Sequence, residues 1–187
     1  MYAVKNNAVL LCDRKIKIIN AFRKLWEQHG MWTRSFIVST AHDLPDLELV
    51  TQRLLRNPDD FAKELQKYYG PKKAQTFRDL LREHLAIAAQ LVNEVKQGEY
   101  DEAQETRKLW YENADQLAAF LSAIDPFSSR QLWQSLWYEH LKMVEDEAAF
   151  RLGGEYAQDI ALYDDIETQA LKMADLMASG IIKQQTY

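Results

Sequence analysis

Three short stretches share one chemistry: Trp26-Glu27-Gln28-His29, Leu81-Arg82-Glu83-His84 and Trp137-Tyr138-Glu139-His140, with the histidines 55 and 56 residues apart. The residues seven, four and three before each histidine and three after it are Phe22, Leu25, Trp26 and Trp32, then Phe77, Leu80, Leu81 and Ile87, then Trp133, Leu136, Trp137 and Met143. All are apolar. Steps of three and four are the spacing of one helix face, so each histidine stands in the middle of a core-facing stripe. Repetition at a fixed period marks a repeated supersecondary unit.

A second polar series runs through the intervening segments. Asn57, Asn113 and Gln169 follow one another at intervals of 56 residues, each interrupting its own apolar stripe: Leu54, Phe61, Leu65; Trp110, Leu117, Leu121; Ile166, Met173, Met177. The pairs His29/Asn57, His84/Asn113 and His140/Gln169 are centred on the turns expected near residues 43, 98 and 154. Each histidine is therefore predicted to lie level with its amide across an antiparallel helix pair. The three histidines are expected to be buried at one level of the molecule.

Glycine and proline punctuate the chain rather than entering its periodic segments. Helices are predicted over about 13–41, 45–69 with a break at Asn57-Pro58, 72–96, 101–123, 129–152 and 156–178. Tyr69-Gly70-Pro71 is read as dividing the second from the third, Asn57 as a capping residue for the restarted helix, Ser128 or Ser129 as the cap of the fifth, and Gly180 as the end of the sixth. No strand pattern occurs. The expected fold is all-α, a bundle of about six mostly antiparallel helices built from three repeated helical hairpins, with a shallow solenoid of the same hairpins as the alternative. The 187 residues form a single domain (1–187), with 1–12 as an N-terminal extension and 181–187 as a tail.

A net charge of −5 with acids and bases interspersed leaves no basic patch for phosphate, so nucleic acid is not an expected partner. No apolar run reaches membrane-spanning length, Val9-Leu10-Leu11 is too short for a secretory core, and Cys12 is the one cysteine. A cytoplasmic location is expected. The chain has no glycine-rich phosphate loop, no Gly-x-Ser-x-Gly and no Glu-x-x-His pair of the ferritin type, and no catalytic constellation is recognised.

Six polar side chains in one layer must be satisfied, because each unpaired buried group costs about 1–3 kcal/mol. They either bond one another and trapped water or hold something. On the first reading the layer is a hydrogen-bonded core, and the protein is a structural or interaction bundle with a protein partner or a second copy of itself. On the second, His29, His84 and His140 face a common divalent metal ion, three imidazoles with an open fourth position, or the layer takes a small ligand beside Asn57, Asn113 and Gln169.

Departures from the repeat carry charge. Five residues after the histidine stand Arg34, Ala89 and Glu145; four before the amide stand Arg53, Leu109 and Asp165; seven after the histidine, Phe36 and Leu91 give way to Glu147. Contacts of Arg34 or Arg53 with Glu145, Glu147 or Asp165 are expected where the first and third units meet, as paired charges; on the other reading Arg34, Arg53, Glu147 and Asp165 line a ligand cavity above the layer.

The run Trp26 to Arg34 (Trp-x-x-His-x-x-Trp-Thr-Arg), with Leu44-Pro45-Asp46, Arg53-Leu54-Leu55-Arg56-Asn57-Pro58, Glu83-His84-Leu85, Asn113-Ala114-Asp115 and Met173-Ala174-Asp175, resembles a family of small uncharacterised helical proteins of spore-forming Firmicutes. Some members carry the name acetylglutamate kinase. An amino-acid kinase is a larger α/β domain with glycine-rich phosphate loops, and this chain has neither. The resemblance covers the chain after about residue 20 and implies no activity for particular residues.

Overall fold

The computed structural model describes residues 2–185, with side chains from residue 12 onward. Its elements are α1 (Tyr2–Ala41), α2 (Leu47–Leu55), α3 (Asn57–Gln97), α4 (Tyr100–Ile124), α5 (Arg130–Leu152) and α6 (Tyr156–Gln184), five long helices and the short α2, with no strand among the described residues. The buried residues Phe22, Trp26, His29, Thr33, Phe36, Ile37 and Thr40 give α1 its inward face at helical spacing.

Packing closes on itself. α1 lies along α6 and also meets α2 and α3, α3 packs on α4, α4 on α5 and α5 on α6. A solenoid would leave its first and last helices apart, so the contact between α1 and α6 overturns that alternative. The enclosed core contains Trp26, Trp133, Trp137, Phe61, Phe77 and Leu117, none more than 1% exposed. Truncating one such aromatic residue to alanine ordinarily costs about 3–5 kcal/mol.

Several boundaries differ from the sequence reading. α1 begins at Tyr2 rather than near residue 13, and α6 continues to Gln184 through the segment expected as a tail; Met1, Thr186 and Tyr187 lie outside the described residues. Tyr69-Gly70-Pro71 divides two helical stretches, 57–69 and 71–97, as the sequence reading has it, although they run on as one kinked element. The break within α3 falls at Gly70, which takes φ 78° and ψ 168°, a non-helical conformation open to glycine, and Pro71 has no N–H for the turn before it. Asn57 is not a side-chain cap: no capping bond forms at the start of α3, and its amide is used elsewhere. At α5 the cap is Ser129, which accepts from the Leu132 N–H at 3.1 Å.

Gly180 does not end α6. It lies inside the helix, against the turn between α4 and α5, where Asp125 accepts from the Phe127 N–H (2.9 Å) and from Ser128 Oγ (2.7 Å), while Ser128 Oγ accepts from Trp133 Nε1 (2.8 Å). A Cβ at residue 180 would fall inside the van der Waals shell of the Asp125 carboxylate. Replacing a helical glycine by alanine usually stabilises. Here Gly180→Ala is expected to destabilise by about 1–3 kcal/mol, as overpacking does; a denaturant midpoint equal to or above that of the parent would refute this reading of the contact.

Candidate functional site: a buried histidine and amide layer beneath an apolar cavity

His29, His84 and His140 are each 1% exposed, and Asn57, Asn113 and Gln169 are no more exposed than 2%. The amide nitrogens take equivalent partners: Asn57 Nδ2 donates to the Leu25 carbonyl (3.0 Å), Asn113 Nδ2 to the Leu80 carbonyl (3.2 Å) and Gln169 Nε2 to the Leu136 carbonyl (2.7 Å). Each carbonyl lies four residues before the histidine, one turn below it on the same helix.

That anchoring fixes which end of the amide meets the ring. With its nitrogen on a carbonyl, Asn57 presents Oδ1 to His29 Nδ1 at 3.1 Å, and Asn113 presents Oδ1 to His84 Nδ1 at 3.0 Å. An amide oxygen only accepts, so Nδ1 carries the proton in both rings and the lone pair of the neutral imidazole sits on Nε2. The third pair differs. Gln169 has one more methylene, and neither Gln169 Oε1 nor His140 Nδ1 has a hydrogen-bond partner, although both are buried.

The rings form one aromatic nest. His29 and His140 have centroids 5.6 Å apart, Trp26 lies 5.5 Å from His29 and 5.6 Å from Trp137, and His84 lies 5.0 Å from Trp137 and 5.3 Å from Trp110. Burial disfavours the charged imidazolium and lowers the pKa of His29 to about 4 and that of His140 to about 3, with His29 adding to the drop at His140. His84 falls well below its ordinary value through burial and the neighbouring His29 and His140. The layer is thus three neutral imidazoles at physiological pH. Among the described residues no group of three or more His, Cys, Asp or Glu is arranged to hold a metal ion.

The charged residues singled out from the sequence are divided. Arg34 Nη1 donates to Glu147 Oε1 (2.5 Å) and to Asp159 Oδ1 (2.6 Å), Arg34 Nη2 donates to Asp159 Oδ2 (3.1 Å), and Arg151 pairs with the same Asp159 oxygen. Arg34 also lies over the Tyr163 ring at 4.9 Å. Burial raises the pKa of Glu147 to about 7 against the pull of Arg34. This cluster joins α1, α5 and α6. Asp165 is not in it: it is exposed, on the side of α6 away from the cluster, and Asp159 in the first turn of α6 provides the acid. Arg53 is apart as well, stacked over the Trp32 ring at 4.9 Å with Nη1 buried and unpartnered, and Glu145 pairs with Arg107 at 2.6 Å.

Arg34, Arg53, Glu147 and Asp165, expected to line a cavity above the layer, do not line one, yet a cavity is there. About 310 Å³ in volume, it is bounded by α1, α2, α3, α4 and α5. Thr33, Ala88 and Val144, each four residues after a layer histidine, and Ile37, Val92 and Ala148, each eight after, form much of its wall. It therefore begins one helical turn beyond the histidines. Trp110 lines it and stacks on His84, linking cavity to layer. Its only charged lining residues are Arg107 and Glu145, paired with each other. Sequence reasoning weighed charged positions for a cavity and passed over the small residues Ala88, Ala89, Ala103, Ala148 and Ala149, which leave the room.

The fold and site define an all-helical bundle with a central layer of neutral histidines and an adjoining apolar cavity. Comparison with protein-family models, curated proteins and solved structures finds no match to this chain.

Proposed function

We propose that this is a binding protein for a small, largely apolar and neutral molecule, held in the cavity between α1, α2, α3, α4 and α5, one helical turn beyond the histidine layer. The observation that carries this is the cavity's position one turn from the layer, with Trp110 belonging to both. Ligand pockets are mostly apolar with few polar groups. The pairing of Arg107 with Glu145 favours a neutral guest, since a charged one would have to break that pair or bring its own charge in unpaired. We read the framework as three copies of one helical hairpin in a cytoplasmic protein, related to the Firmicutes family that the sequence resembles; no helix among the described residues is long and apolar enough to cross a membrane.

Saturable rises in melting temperature with aromatic or medium-chain aliphatic alcohols are the expected result for the parent protein. Ala88→Leu, which fills part of the cavity, is expected to weaken that binding at least about tenfold, one missing or blocked methylene-sized contact being worth about 1–3 kcal/mol. Equal affinity in the parent and the filled variant would reject the cavity as the site.

A second reading keeps the metal ion at His29, His84 and His140. It is favoured by the Asn57 and Asn113 bonds, which put the Nδ1 proton on an oxygen acceptor and leave Nε2 with its lone pair, as outer partners of metal-ligating histidines do. Elemental analysis of protein purified without a tag decides it: a stoichiometric transition metal that His84→Leu removes supports the ion, and its absence after incubation with zinc leaves the apolar guest alone.

A further inference from the structure

The third histidine and amide pair differs from the other two. In the first two pairs the amide oxygen accepts directly from Nδ1 at 3.1 and 3.0 Å. In the third, Gln169 Nε2 is fixed to the Leu136 carbonyl as its counterparts are, while Gln169 Oε1 and His140 Nδ1 are each buried without a partner. Gln169 nonetheless acts on the ring as a hydrogen-bonding side chain that opposes the fall in its pKa, so the two lie near one another without the well-aligned bond of the other pairs. The indole N–H groups of Trp26 and Trp137 are also buried without partners, and the centroids of their rings lie 6.5 and 6.1 Å from that of His140. Buried polar atoms are paired with protein or with ordered water in the great majority of cases, and leaving two of them unpaired is costly.

We propose that His140 and Gln169 form a site for one neutral hydroxyl group, whose oxygen accepts from the His140 N–H and whose proton is donated to Gln169 Oε1. A hydroxyl combines acceptor and donor on one atom, as the two protein atoms require. A carboxylate would meet Gln169 Oε1 as a second acceptor, and an ammonium would meet the N–H groups as a further donor. The chemistry is shared by two sources, a buried water and the hydroxyl of a ligand reaching down from the cavity. Water has a further acceptor and donor site to spare, and buried waters usually make about three hydrogen bonds. The inference does not depend on the cavity reading, because a water completes the pair whether or not the cavity takes a guest.

Crystals diffracting well enough to place single waters test it, grown from protein as purified from cells and from protein unfolded, dialysed and refolded without additives. The expected result is density for one oxygen at about 2.7–3.2 Å from both His140 Nδ1 and Gln169 Oε1. An isolated peak in both preparations identifies water, and density continuing into a larger molecule in the first alone identifies a ligand hydroxyl. Gln169 turned to bond His140 directly, with no oxygen between, overturns the proposal. NMR offers an independent reading: the slowly exchanging His140 Nδ1 proton is expected to show a cross-peak to water or to the bound hydroxyl, which the His29 and His84 protons lack. A His140 proton that behaves like those two overturns it as well.

Discussion

Between pH 6.5 and 4.5 the protein is expected to lose about 5 kcal/mol of its stability. His29 and His140 have folded pKa values of about 4 and about 3, and His84 lies well below its ordinary value, against 6.5 for all three when unfolded. A base whose pKa is depressed by folding is protonated first in the unfolded chain, so this loss begins as pH falls through 6.5 and continues to the folded values. Glu147 acts in the opposite sense. Its pKa is raised from 4.5 to about 7, so between those values the folded state holds one proton more than the unfolded and gains stability as pH falls. Three protons against one leaves a net uptake of two on unfolding, at about 1.4 kcal/mol per proton per pH unit. Urea denaturation followed from pH 7.5 to 4.5 measures it. A midpoint that stays constant or rises on acidification would show that the imidazoles are not held neutral by burial, whereas His29→Leu is expected to make the curve shallower.

Asp159→Ala is expected to cost about 3–5 kcal/mol, because it leaves Arg34 and Arg151 facing Glu147 alone within a largely buried cluster. The Asp159 side chain is fully buried, whereas that of Arg34 is 18% exposed, so water relieves part of the penalty and the lower end of the range is expected. Replacing Arg34 by methionine in the same chain is expected to recover some of the loss. Asp165→Ala serves as the contrast, with a change within about 0.5 kcal/mol as for other exposed sites. A double-mutant cycle between Arg34 and Asp159 with no coupling, or an Asp165 effect as large as that of Asp159, would contradict this account.

The layer was legible because burial of a polar side chain at helical spacing leaves a regular trace: six residues interrupt apolar stripes, and spacing about the turns pairs His29 with Asn57 and His84 with Asn113, as their hydrogen bonds do. The charged cluster was half legible. Glu147 on an apolar stripe announced a buried acid for Arg34, but Asp159 looks like any acid in a first helical turn, and only the packing of α6 along α1 turns it inward. Gly70-Pro71 was legible as a helix break, because glycine opens the non-helical backbone and proline removes a donor; what the sequence left out is that the two stretches run on as one kinked element, with the Phe61 and Phe77 rings 5.5 Å apart across the break. The cavity left no trace in any single residue. It comes from alanines on several helices whose coincidence at one level depends on how the helices pack.

Trp26, Trp110 and Trp137 are no more than 2% exposed, and none donates its N–H to a hydrogen-bond acceptor, whereas Trp133 donates to Ser128. An excited indole shifts its emission to the red when polar groups around it can reorient, so three of the five tryptophans are set to emit at the blue end of their range. They also touch all three imidazoles, and a protonated imidazole quenches indole light far better than a neutral one. The centre of the molecule therefore carries its own optical gauge: brightness follows the charge of the histidines, and colour follows the entry of water. Both are readable in dilute solution without a label.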